Sequence, residues 1–283
     1  MKAGQVKHMA SRALDELALA MDDGHSESLK AYLVMMARFH RYSAYNTLLI
    51  NLQCPGATQV AGFGTWRRLG RHVRKGQKAI RILAPVVQRV DSEEAEEESK
   101  EQGEVLAYKA AYVFDISQTD GQDLPDLAKA SGEPGEYLKA LESFIARKGI
   151  RLERTARLGS ALGASAGGRI FLRADLDGAE EFSTLVHEVA HAMLHRQEGA
   201  ETDRTVRETE AEAVAFVVSE AIGLEARQAG ADYIRLYNGG KKTLLASLVR
   251  IRRTAVEIIQ GIERPGGTVQ EGASQPELQA AAA

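Results

Sequence analysis

Apolar positions recur with a helical period over residues 6–21 and 29–39, which predicts two helices at the start of the chain. Tyr42-Ser-Ala-Tyr-Asn46 leads into an apolar run ending at Ile50, and Ser43 reads as the cap of a third helix. Pro55-Gly56 breaks it. The pattern then shortens to a period of two, predicting strands over 58–63, 79–87 and 105–116. In the second, Ile80, Ile82 and Ala84 alternate with Arg81 and Leu83. In the third, Leu106, Tyr108, Ala110, Tyr112 and Phe114 share one face. A helix over 137–148 and strands over 150–154 and 169–173 follow, then helices over 179–195, 204–222 and 244–262. In the last, Leu244, Leu248, Ile251, Ala255, Ile258 and Ile262 form a core-facing stripe. The expected class is α+β: N-terminal helices on a small antiparallel sheet, then a mainly helical part with a short sheet.

Two polar stretches divide this pattern. Residues 91–104 hold eight acidic residues and one lysine, and read as a solvated hairpin loop. Residues 120–134 are rich in Gly, Asp and Pro, and read as a domain boundary. A chain of 283 residues fits two domains, here 1–125 and 126–263, with 264–283 as a disordered tail. Cys54 is the only cysteine, so the chain forms no internal disulfide and an intracellular, cytoplasmic location is expected. The longest apolar run, 31–37, is far short of the about 20 residues of a membrane span. No signal-peptide core is visible, so no membrane partner is expected.

The net charge of −3 conceals a strong asymmetry. Residues 28–90 contain 11 basic residues and no acidic one; the other 25 basic residues face all 39 acidic ones elsewhere, a balance of −14. Seven of the 11 lie between Arg67 and Arg81, which points to a polyanion partner for the first domain. Arg67, Arg68, Arg71, Arg74, Lys75, Lys78 and Arg81 are the candidate phosphate contacts. Tyr42 and Trp66, the chain's only tryptophan, are candidates for stacking on unpaired bases. Phe63 and Tyr45 are equally readable as core. Gly70 and Gly76 permit tight turns between the cations. No major-groove reading motif is visible, so sequence-specific recognition is not indicated.

The sharpest chemical signal is His187-Glu188-x-x-His191 within an apolar helical frame. Residues four apart share a helix face, so both imidazoles reach one ion, and Glu188 adjoins the first of them as a proton carrier. Zinc suits two neutral imidazoles and a carboxylate. Asp177-Gly-Ala-Glu180 offers a capping box at the helix start. His195 lies about 12 Å along the axis from His187 and cannot converge on the same ion in an unbroken helix. The third ligand is sought on the next helix, which carries Glu208, Glu210 and Glu212. A helical wheel puts Glu210 inside the apolar arc and the other two outside it. A buried carboxylate needs a partner, so Glu210 is the favoured ligand, with Glu208 or Glu212 as the alternatives.

His187-Glu188-x-x-His191 followed by Glu210-Ala-Glu-Ala-Val-Ala215 resembles the zinc metallopeptidase domain of the ImmA/IrrE-like group. The N-terminal part resembles the single-stranded-DNA-binding domain of ArdC antirestriction proteins. The matching stretches are Tyr42-Ser-Ala-Tyr-Asn46, Gly62-Phe-Gly-Thr-Trp66, Leu69-Gly-Arg-His-Val-Arg-Lys-Gly76, Ala79-Ile-Arg-Ile-Leu-Ala-Pro85 and Val113-Phe-Asp-Ile-Ser-Gln118. The resemblance implies Zn2+ on His187, His191 and Glu210, with Glu188 as the catalytic glutamate. It implies a zincin-like second domain, a single-stranded DNA partner and a role in antirestriction or mobile-DNA protection. Two other readings stand beside this one: a DNA-coating protein with a structural zinc site, and an ImmA-like peptidase that cleaves a repressor. The sequence names no protein substrate and no oligomeric state.

Overall fold

The computed structural model describes residues 2–23, 26–87, 105–122, 134–194, 204–224 and 241–263. The acidic stretch 91–104, His195, most of 120–134 and the tail 264–283 lie outside the described residues. The chain forms two compact units. Among the described residues, one comprises 2–16 and 41–122, the other 17–40 and 134–263. This division differs from a single cut at 125, because residues 17–40 group with the second unit. The element responsible is α2 (Ser26–Arg38), whose buried Tyr32, Leu33 and Met36 supply an apolar face. That face packs against a helix of the second unit. Helix α1 (Ala3–Asp22) runs through the point where the units divide.

In the first unit, α3 (Ala44–Gln53) starts at Ser43, whose hydroxyl accepts from the Asn46 amide at 3.3 Å. The sheet has the order β1 (Val60–Ala61), β4 (Val105–Asp115), β3 (Ile80–Val87), all antiparallel. The free edge of β3 is covered by two amide side chains of α3. Asn46 donates to the Leu83 carbonyl and accepts from the Leu83 amide, both at 2.8 Å. Gln53 does the same at Arg81, at 2.9 and 3.0 Å. A helix thus takes the place of a fourth strand and protects an edge that would otherwise pair with another chain.

The strand expected over 58–63 shrinks to the two residues of β1, because Gly62 opens α4 (Phe63–Arg68) instead. The basic segment then forms β2 (Arg71–Val73), which pairs with β5 (Thr119–Gly121). Gly121 has φ 140, and a Cβ there would sit 2.3 Å from the Gly70 carbonyl oxygen, so the two backbones meet only because this residue is glycine. Asp115 is fully buried and ties the unit together. Its carboxylate accepts from the amides of Thr58 (2.8 Å), Gln59 (3.1 Å) and Ser117 (2.8 Å).

In the second unit, β6 (Arg151–Thr155) pairs parallel to β8 (Arg169–Arg173), and β7 (Gly163–Ala166) pairs antiparallel to β8 on the other side. Helix α6 (Gly178–Leu194) packs on β7 and β8, with Phe182, Leu185, Val186 and Val189 buried. Its first turn is capped as the sequence predicts, the Asp177 carboxylate accepting from the Glu180 amide at 2.8 Å. Helix α7 (Arg204–Ala221) packs on α6 and α2, and α8 (Lys241–Glu263) on α7 and α5 (Glu136–Arg147). Arg154 of β6 binds Glu142 of α5 and Glu181 of α6, the latter at 2.7 Å, and so joins sheet to helices. The architecture is α+β, as the patterning implies.

Candidate metal centre

Helix α6 presents His187 and His191 on one face, one turn apart. Their Nε2 atoms face each other at 3.0 Å, with the rings edge to face. Helix α7 packs alongside and brings its own pair of residues four apart, Glu208 and Glu212. Glu208 Oε2 lies 3.3 Å from His191 Nε2 and 3.7 Å from His187 Nε2. Glu212 Oε2 lies 3.2 Å from His187 Nδ1, on the far side of the ring. One donor atom from each of His187, His191 and Glu208 falls within 4.8 Å of the others. Two imidazole nitrogens and one carboxylate converging in this way fit a divalent metal ion.

Glu210 is not at this cluster, which corrects the ligand that the helical wheel favours. It is fully buried, as the wheel implies, but its carboxylate is gripped by the Arg250 guanidinium of α8, with Nε at 3.1 and 3.2 Å from the two oxygens and Nη2 closer still. The cation that Glu210 requires is a side chain, and the carboxylate beside the two imidazoles is that of the half-exposed Glu208.

Charges at the centre follow from this packing. Burial disfavours a charged His187, but the carboxylates of Glu208 and Glu212 outweigh it and lift the ring's pKa to about 9. Conversely, the His187 contact holds Glu208 down at about 2 against the opposing effect of its own burial, with His191 adding to the pull. Glu188 points to the sheet side of α6 and is buried. Burial raises its carboxyl pKa; His187 and the Ser165 hydroxyl on β7 pull it back, and the charge of Glu208 adds to the rise. Gly163 makes room for it: a Cβ there would lie 2.8 Å from Glu188 Cγ and 2.9 Å from Oε1. Neither Gly163 nor Ser165 stands out in the sequence, because strand β7 carries only small residues and no alternation.

The basic segment of the first unit sorts differently from its sequence reading. Trp66 is buried at 1% exposure and donates from Nε1 to the Phe114 carbonyl at 2.9 Å, so it anchors α4 to β4 rather than offering a stacking face. Arg71 is buried too, donating to Thr119 Oγ1 (2.8 Å), the Thr119 carbonyl (3.2 Å) and the carbonyls of Gly121 and Gln122. Tyr42 is half-buried, its hydroxyl donating to the Val60 carbonyl at 3.4 Å. Arg74 pairs with Asp120 at 3.4 Å and donates to the Ser117 carbonyl. Arg67, Arg68, Lys75 and Lys78 are exposed and Arg81 is half-exposed.

Fold and site together define a two-unit α+β protein whose second unit carries a potential metal-ligand cluster on paired helices. Residues 12–114 match the N-terminal domain of the anti-restriction factor ArdC, and residues 146–256 match the IrrE N-terminal-like domain of the M78 peptidases. The chain therefore joins an ArdC-type N-terminal domain to an IrrE-like domain. Among solved structures, it shares the fold of the antirestriction ArdC protein from plasmid R388. The metal-free form of that protein gives a TM-score of 0.53 at 17% identity, covering 90% of this chain and 97% of that one. The Mn(II)-bound form gives 0.54 at 17% identity, covering 89% and 97%. An uncharacterized protein of Bacillus anthracis, pXO2-81, is 25% identical over 92% of this chain. The chain spans about half (52%) the length of that curated relative. Among the described residues, no helix is long and apolar enough to cross a membrane.

Proposed function

We propose that the protein is a zinc-dependent endopeptidase carrying a single-stranded-DNA-binding unit, and that it acts in antirestriction or the protection of mobile DNA. The observation that carries the peptidase reading is the cluster of His187, His191 and Glu208 donors, with the buried Glu188 carboxyl next in sequence to His187 and within its electrostatic reach. The ligand set is read as His187, His191 and Glu208, with Glu212 beside the His187 ring. Three protein ligands leave a fourth position open, and zinc bound there would acidify water and polarise a scissile carbonyl.

The chain's own residues supply the rest. Glu188 takes the proton of the attacking water and returns it to the leaving amine, which calls for a carboxyl pKa above the ordinary range. Burial moves it in that direction. Ser165 orients this carboxyl, and the Gly163 backbone lets it sit against β7. The match of residues 12–114 to the ArdC N-terminal domain and the acid-free basic stretch support the DNA and antirestriction part.

Glu188→Gln should keep the metal and lose cleavage of candidate protein substrates by about 10²–10⁴-fold. Equal cleavage by that variant contradicts the mechanism. Intact protection of DNA in cells by the same variant would favour a binding role with a structural metal.

A further inference from the structure

Among the described residues, two aromatic rings are clearly exposed, Phe63 at 52% and Tyr112 at 48%, and both belong to the basic first unit. They are neighbours through the backbone. Strand β1 pairs with β4 at Ala61 and Phe114, and the chain then passes through Gly62, whose Cβ position is 3.9 Å from the Tyr112 carbonyl oxygen. On the other side, Tyr112 is directly opposite Arg81 of β3. Directly opposed residues of an antiparallel pair share a face, and adjacent strands lie about 4.8 Å apart. Tyr112 and Arg81 therefore share a face of the β4–β3 pair, and Phe63 opens α4 directly after Gly62, the residue that approaches Tyr112. Arg67 is four residues after Phe63 on α4, on the same helix side, and is exposed.

Trp66 and Arg71, which the sequence offers for this task, are committed to the core. Their burial fixes α4 and β2 in place, and the residues beside them are the ones presented.

We infer that Phe63 and Tyr112 form the stacking platform for the bases of single-stranded DNA, with Arg67 and Arg81 at its phosphates. This rests on the nucleic-acid reading above. A single strand, not a duplex, is the occupant, because only unpaired bases expose a face to an aromatic ring. The sign of the charge fits: no acidic residue occurs between positions 28 and 90.

The test is a titration of a fluorescein-labelled oligothymidylate with the full-length protein, read by anisotropy at several salt concentrations. Phe63→Ala and Tyr112→Ala should each weaken binding by about ten-fold or more, with an unchanged salt slope, because stacking releases no counterions. Arg67→Ala and Arg81→Ala should each lower the slope by about 0.7. An oligothymidylate with abasic sites should bind the native protein as weakly as the intact oligomer binds the aromatic variants. Both rings are exposed, so circular dichroism should show the variants folded. If the native protein binds the oligomer and the folded aromatic variants bind it equally well, the platform is wrong and the nucleic-acid reading stands. If the native protein binds no single strand at low salt, that reading fails and the platform with it.

Discussion

A metal ion at the centre needs the lone pairs of His187 and His191, yet in the metal-free protein His187 holds a proton up to about pH 9. Binding near neutrality must therefore expel it. Calorimetric titration of Zn2+ in two buffers of different ionisation enthalpy should show release of about one proton, with affinity rising from pH 6 to 9. Affinity that is flat over that range contradicts the assignment. Stability of the metal-free protein follows the same shifts. A raised His187 pKa stabilises the fold below about 6.5, and that contribution is lost as pH rises through about 9. A lowered Glu208 pKa stabilises it above 4.5, and that is lost as pH falls towards 2. The cluster's contribution is thus fullest between the two ordinary values, so denaturant midpoints measured with chelator should fall on both sides of that window. The common side of His187 and His191 is legible from spacing alone, since residues four apart on a helix share a face, whereas Glu188, next to His187, turns to the sheet side. Glu210 shows where such reasoning stops. Periodicity reports that its carboxylate is buried, but the compensating cation is Arg250, 40 residues further on in a helix whose facing is decided by tertiary packing.

At the scale of elements, the long helices and the β3–β4 hairpin follow from patterning because each buries a continuous stripe. The short elements do not. Helix α4 has six residues, two of them basic in its last turn, and its formation depends on Trp66 entering the core beneath β4. Strand β7 is read from Gly-Ala-Ser-Ala, which has no alternation, and exists by pairing with β8. Each matters for what it positions: α4 carries Phe63 and Arg67, and β7 carries Ser165 beside Glu188. Trp66→Ala should cost about 3–5 kcal/mol of stability, as removal of a buried tryptophan does, and weaken DNA binding only through unfolding. Chemical denaturation checks the first part; a folded variant with intact stability contradicts the anchoring role. Gly163→Ala should leave the fold and bound metal in place but displace Glu188, which a Cβ would meet at 2.8 Å, and so depress cleavage. Wild-type turnover by this variant contradicts the close fit.

At the scale of the molecule, an average charge near zero divides into an acid-free basic stretch and an acidic remainder, and the Arg67–Arg81 cations lie in the first unit while the His187, His191 and Glu208 donors lie in the second. Helix α2 groups with the second unit although it precedes the basic segment in the chain. The ArdC-type and IrrE-like matches fall on the two parts in the same order. What the plan requires above all is a metal held by His187, His191 and Glu208, with Glu210 serving the α7–α8 contact instead. Metal content per folded chain, measured by mass spectrometry after zinc loading and desalting, decides it for the native protein, Glu208→Gln and Glu210→Gln. About one zinc per chain in the native protein and in Glu210→Gln, with loss in Glu208→Gln, is the predicted result. Retention in Glu208→Gln with loss in Glu210→Gln would contradict it.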